Sequence, residues 1–136
     1  MNTETLRWLD EQKPELVKAA RGYLKEHGIY RRGKRPRDPI VSTAQLRNLQ
    51  NAANSGSSLE VLASFLRYQI GRGQWPKKEG DALEAVLREE VGGRREKAPA
   101  DGSITSQKLE AELAGLFVGY LIHEFYYQCK RVGTRA

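Results

Sequence analysis

Cysteine is nearly absent from this 136-residue chain. Cys129 stands alone, so no intrachain disulfide can form and a reducing compartment, the cytoplasm, is expected. Histidine is scarce as well. His27 and His123, together with one thiol, fall at no familiar ligand spacing, so no metal or other cofactor is expected. Long apolar runs are missing: the longest, Leu113 to Ile122, is broken by Gly115 and Gly119 and is too short to span a bilayer, so no membrane partner is expected. No apolar signal region follows the N-terminus, where Asp10, Glu11 and Lys13 arrive early, so no secretory leader is expected. No segment sustains the alternation of a strand. Hydrophobic residues are 39% of the chain, enough for one modest core, and charged residues at 29% do not make a disordered composition. The expected unit is a single helical domain over residues 1–136.

What is present reads as helix. Leu6, Leu9, Leu16, Val17, Ala20 and Leu24 recur at helical spacing, with Pro14 either kinking that run or opening a second helix. Gly28 is a plausible end. Residues 31–39, RRGKRPRDP, hold two prolines, a glycine and five cations and predict an extended basic loop. Ser42 and Gln45 match a capping box for a helix through Leu46, Leu49 and Ala53. Ser57 and Glu60 match a second, for a helix carrying Leu59, Leu62, Leu66 and Ile70 that Gly71 and Gly73 close. Pro76 can open a fourth, with Leu83, Val86, Leu87 and Val91, ending at Gly92-Gly93. Residues 93–102 predict a flexible linker, and Ser103 caps a long helix over about Ile104 to Arg131, apolar on most of its circumference from Leu113 onward. The expected fold is all-α: a compact orthogonal bundle of about five helices with a long, central C-terminal helix.

Catalysis needs paired groups that can move a proton or attack a substrate, and none stands out. His123-Glu124 begins like a zinc-protease motif, but Tyr127 occupies the place of the second histidine. His27 sits near a helix end, where a histidine commonly stabilises terminal carbonyls. Cys129 has no histidine nearby, and small buried thiols are common on such an apolar turn. The glycines of YQIGRGQW follow a helix and lack the lysine–serine pair of a phosphate loop. No enzymatic activity is expected.

Charge carries the first functional signal. The net charge is +6, and it is concentrated: residues 31–55 hold Arg31, Arg32, Lys34, Arg35, Arg37 and Arg47 against Asp38 alone. Arg67, Arg72, Lys77 and Lys78 follow, against Glu60 and Glu79. Arg47, Asn51 and Asn54 fall on one helix face opposite Leu46, Leu49 and Ala53, and guanidinium and amide groups together suit phosphate and ribose oxygens. Tyr30, Tyr68 and Trp75 lie close to these cations and could stack on unpaired bases, although Trp75 could equally be core.

The run IVSTAQLRNLQNAA, followed by a helix ending FLRYQIGR and a closing aromatic-rich LAGLFVGYLIHEFYY, resembles the small helical subunit of the Csm complex, the type III-A CRISPR effector. The resemblance covers about residues 38–130. Ala44 within the helix start, the basic loop before it and the glycine-rich segment 92–102 depart from the pattern, leaving a small subunit of another type III complex as an alternative. The resemblance implies a non-catalytic protein present in several copies beside other effector subunits. It would bind the guide–target duplex, chiefly the target RNA strand, through backbone contacts, while base pairing reads the sequence. Arg47, Arg67 and Arg72 are the positions carried over by the matching motifs; Lys77 and Lys78 follow from charge alone.

Two other classes fit the same residues. The helix–turn–helix from Ser42 to Arg72 could place its second helix in a DNA major groove, but SSLEVLASF offers Glu60 and no cation there. A helical scaffold could instead present its basic patch to an acidic protein partner.

Overall fold

Apolar side chains at intervals of three and four decide where the chain coils and which face it buries. The computed structural model, which describes residues 1–136, is all-helical: α1 (Thr3–Glu26), α2 (Thr43–Ala53), α3 (Leu59–Gly71), α4 (Lys77–Leu87), a π-helical segment (Arg88–Gly92), the single turn α5 (Gly93–Glu96) and α6 (Ser106–Val132). In α6, Leu109, Leu113, Phe117, Leu121, Phe125 and Cys129 repeat every four residues, and Ala114, Val118 and Ile122 widen the stripe. That width lets α6 meet α1, its most extensive partner, and also α2, α3 and α5. Leu113, Phe117, Val118, Leu121 and Phe125 are fully enclosed. Each such large side chain contributes about 1.5–3 kcal/mol by leaving water. The helix stops where Gly133 turns left-handed at φ +82° and donates to the Cys129 carbonyl at 2.9 Å.

Several local expectations change. Pro14 neither kinks the chain into two helices nor starts one; it lies inside α1 on the exposed face. The carbonyl that its missing N–H would have bonded can turn to water, while Leu9 and Leu16 hold both flanks in the core. The second cap is Ser58, which directly precedes Leu59 and accepts from the Val61 N–H at 3.3 Å, while the Ser57 hydroxyl bonds that of Ser55 at 2.9 Å. Thr105, not Ser103, caps the final helix, accepting from Lys108 N–H at 3.1 Å.

The largest difference concerns residues 93–102. Gly92-Gly93 does not end the fourth helix, and Gly93–Glu96 continue as helix rather than opening a linker. The widened π turn absorbs the glycine pair, and Arg94 fastens the result: it reaches Glu90 at 2.7 Å and the Gln12 side chain of α1 at 2.7 Å. The remaining loop is anchored through Asp101, which accepts from the Asn2 N–H at 2.8 Å and from the Ser103 N–H at 2.9 Å. Bonds from the Ser103 hydroxyl first, then from these amides, hold the Asp101 carboxyl well below the usual range.

Candidate nucleic-acid interface

Residues 31–39 fold back on themselves instead of trailing in solvent. Arg32 pairs with Pro39 in an antiparallel bridge, Gly33 N–H donates to the Asp38 carbonyl at 2.8 Å, and Ile40 N–H to the Arg31 carbonyl at 2.9 Å. Glycine at 33 suits the close approach of the two strands of the ribbon: a Cβ there would lie 3.1 Å from the Pro39 oxygen and 3.2 Å from the Ile40 Cα, and the Pro39–Ile40 backbone would have to give by a few tenths of an ångström. The segment after α6 closes over this ribbon. Arg135 N–H donates to the Arg37 carbonyl at 2.6 Å, and the Thr134 hydroxyl to the Tyr30 carbonyl at 2.6 Å. The backbone is thus fixed from both sides while Arg31, Arg32, Lys34, Arg35 and Arg37 all remain exposed. None of the five makes an ion pair, whereas Lys13, Lys18, Arg21, Arg67, Lys77, Arg88, Arg94 and Arg95 elsewhere each meet a carboxylate.

Two clefts flank the ribbon. One, of about 990 Å³, lies between the ribbon, the first turn of α2 and the turn joining α3 to α4. Lys34, Arg35, Lys77 and Arg135 line it with Asp38 as the single acidic side chain. The other, of about 660 Å³, lies between the C-terminal part of α1 and that of α6, with Lys25, Arg31, Tyr127 and Arg131 on its walls. Arg31 lies over the Tyr30 ring at 5.4 Å, and Arg21 at the second cleft is neutralised by Glu124 at 2.8 Å.

The other expected site residues separate. Arg47 is exposed on α2 and donates to the Tyr126 hydroxyl of α6 at 2.9 Å, with Asn51 exposed one turn on. Arg67 is committed elsewhere: its guanidinium grips both Glu84 oxygens at 2.6 and 2.8 Å. Glu84 also takes Arg88 at 3.2 Å, and Arg88 takes Glu60, which closes a four-residue network of zero net charge. Bonds from Arg67 foremost hold the Glu84 carboxyl below its ordinary value. Lys77 is paired with Asp81 at 2.6 Å. Arg72 packs over Tyr68 at 5.6 Å and donates to its hydroxyl at 3.2 Å, and Lys78 is exposed without an ion pair.

Of the three aromatics expected near the cations, only Tyr68 offers its ring to solvent. Tyr30 and Trp75 are 3% and 2% exposed and belong to the core. Tyr127, at 62% exposure in the second cleft, is an aromatic that local reasoning missed, as were Lys25, Arg131 and Arg135. The signal for the last two was the basic run Lys130, Arg131, Arg135 with no acid among them.

The remaining reactive side chains are dispersed. Cys129 is buried, which pushes its thiol up. His27 stacks on Tyr23 at 5.2 Å, and no three His, Cys, Asp or Glu side chains come together in a way that could hold a metal ion. No helix is long and apolar enough to cross a membrane. Comparison with family models, with curated proteins and with solved structures finds no match to this chain.

Proposed function

We propose that this protein is a non-catalytic RNA-binding subunit that grips the sugar–phosphate backbone through the 31–39 ribbon and its flanking clefts. The observation that carries this reading is the pinned ribbon with five exposed cations and no ion pair to any of them. Unneutralised guanidinium and ammonium groups carried on a fixed backbone are what a polyanion needs, because they bind phosphate without first breaking an internal ion pair. Exposed Tyr127 and Tyr68 add surfaces on which an unpaired base can stack. The resemblance of the helix start and closing helix to the Csm small subunit supplies the setting: several copies along the guide–target duplex of a type III CRISPR effector, in contact with other subunits. Backbone contacts suit that setting, since any target sequence must be accepted.

A helix–turn–helix regulator fits less well. The N-terminal part of α3 would enter the groove, yet it carries Glu60, which is bound to Arg88, and the exposed Val61 and Ser64. The decisive experiment is a salt titration against fluorescent single-stranded RNA and matched duplex DNA. Sequence-independent RNA binding is expected, with log K falling by about 0.7 per phosphate contact for each decade of salt. A preference for duplex DNA would replace this reading with the regulator, and no binding to either at low salt would favour a scaffold with an acidic protein partner. Placement in an effector is tested separately by co-purification with type III subunits and guide RNA.

A further inference from the structure

The basic ribbon is held in different ways at its base and at its tip. At the base Ile29, Tyr30, Pro39 and Val41 are buried. There Val41 N–H donates to the Ile29 carbonyl at 3.1 Å and Ile40 N–H to the Arg31 carbonyl at 2.9 Å. The tip, residues 34–38, carries Lys34, Arg35 and Arg37 and bonds mostly to the ribbon itself. Gly33 N–H donates to the Asp38 carbonyl at 2.8 Å and Asp38 N–H to the Arg35 carbonyl at 3.1 Å. A single bond ties this tip to the rest of the fold: the Arg37 carbonyl accepts from the Arg135 N–H at 2.6 Å.

That bond comes from a short strap, residues 133–135, whose own attachment is equally economical. Gly133, left-handed at φ +82°, turns the chain out of α6, and the N–H groups of Gly133 and Thr134 both return to the Cys129 carbonyl, at 2.9 and 3.0 Å. Thr134 is thereby aimed at the ribbon's base. Its hydroxyl donates to the buried Tyr30 carbonyl at 2.6 Å, the one side-chain hydrogen bond the strap makes. Thr134 therefore fixes where Arg135 presents its N–H, although it touches none of the ribbon's cations.

An element closed by so few bonds opens at small cost compared with the helices, whose ladders and core contacts must break together. Closed, the strap presents Lys34, Arg35 and Arg37 on a fixed turn. Open, it leaves the same charges on a turn fastened only at its base, which a ligand must order as it binds. We propose that residues 133–135 are a latch on the ribbon tip and that Thr134 is its positioning residue. The fraction of chains with the latch closed scales the affinity for RNA backbone. By linkage, RNA held at the tip keeps the latch closed. The inference rests on the RNA-binding reading above and adds a control on affinity that is independent of charge.

The test combines amide hydrogen exchange with RNA binding on the full chain. Thr134→Val keeps the shape and removes the donor. It should speed exchange at Gly33, Asp38 and Arg135 about two- to tenfold and leave the Leu121 amide within α6 unchanged. RNA affinity should fall by a similar factor with the log–log salt slope unaltered, because no cation is lost. Thr134→Ser restores the hydroxyl and should recover both readings. A second pair works at the other bond: Arg135→Ala and Arg135→Pro both lack the cation, but only proline lacks the N–H. Proline should give the faster Gly33 and Asp38 exchange and the weaker RNA binding of the two. Unchanged ribbon exchange in both Thr134→Val and Arg135→Pro overturns the latch. Exchange that quickens equally within α6 also overturns it, as that marks general loosening. Faster ribbon exchange with undiminished RNA affinity refutes the control of binding. A wild-type chain that ignores RNA sinks the RNA reading and that control with it, while the exchange rates still decide whether the strap holds the tip.

Discussion

The ribbon at residues 31–39 and the face shared by α3 and α4 are both rich in arginine and lysine, but their charge is spent differently. On the α3–α4 face Arg67, Arg88 and Lys77 each meet a carboxylate, from Glu84, Glu60 or Asp81, and the cluster is nearly neutral to an approaching ligand. On the ribbon, five cations share one half-buried aspartate and no ion pair. The backbone carries the work of holding them together, through the Arg32–Pro39 bridge and the Arg135–Arg37 bond. Formal charge along a sequence therefore overstates what a surface can offer. What counts for binding a polyanion is the charge left after internal pairing.

The contrast is most strongly tested by matched substitutions. Replacing Lys34, Arg35 and Arg37 together with alanine should lower RNA affinity on the order of 10- to 100-fold near 0.1 M salt and flatten the log–log salt slope by about 2. The thermal transition should stay where it was, because no ion pair is lost. Arg67→Ala is the control: RNA affinity is expected to stay within about twofold, since that guanidinium already belongs to Glu84. Filter binding and a melting curve on each variant suffice. Equal losses from the two changes would erase the distinction between paired and unpaired cations.

A smaller effect of opposite sign sharpens the same point. Glu84→Gln keeps the side chain's shape but removes the charge that holds Arg67 and Arg88. It should convert part of the quiet face into an attractive one, raising non-specific RNA affinity about two- to fivefold with a steeper salt dependence. A salt titration showing an unaltered slope would mean that Arg67 and Arg88 stay shielded even without Glu84.

How far this division was legible follows from where each partner lies. The helices could be read from leucines at three- and four-residue intervals, and Ser42 as a cap from its own neighbours, because those determinants are local. The ribbon's cations were legible as a run. Arg67 was not, as its partner Glu84 sits on the next helix and only the packing of α3 on α4 brings them together. Trp75 and Tyr30 read as possible base-stacking surfaces because burial is a tertiary fact. The second cleft joins Lys25 to Arg131, residues at opposite ends of the sequence, and no window along the chain could show it. The glycine pair at 92–93 misled for a similar reason: Arg94 reaching Gln12 on α1 stabilises a helix that local propensity would end.

Acid separates the two regions by the mildest perturbation. Hydrogen bonds from Arg88 and Arg67 hold the Glu60 and Glu84 carboxyls below their ordinary values. A depressed folded-state value means that these groups contribute stability fully above their unfolded pKa, about 4.3, and lose it as pH falls through the folded values. Glu60 is largely solvated and Glu84, itself mostly covered, is paired with two arginines that reach solvent, so the contribution is small and shrinks with salt. Melting temperature in low salt should therefore decline below about pH 4.5, and the Glu84→Gln variant should show a shallower decline, having no proton to take up there. The ribbon behaves otherwise. It holds no carboxylate in an ion pair, and RNA phosphates remain ionised, so RNA bound at pH 5 should stay bound at pH 4 wherever the fold survives. If binding instead falls in step with Glu84 protonation, as followed by carboxyl carbon NMR, the carboxylates of α3 and α4 would have to be placed within the interface rather than apart from it.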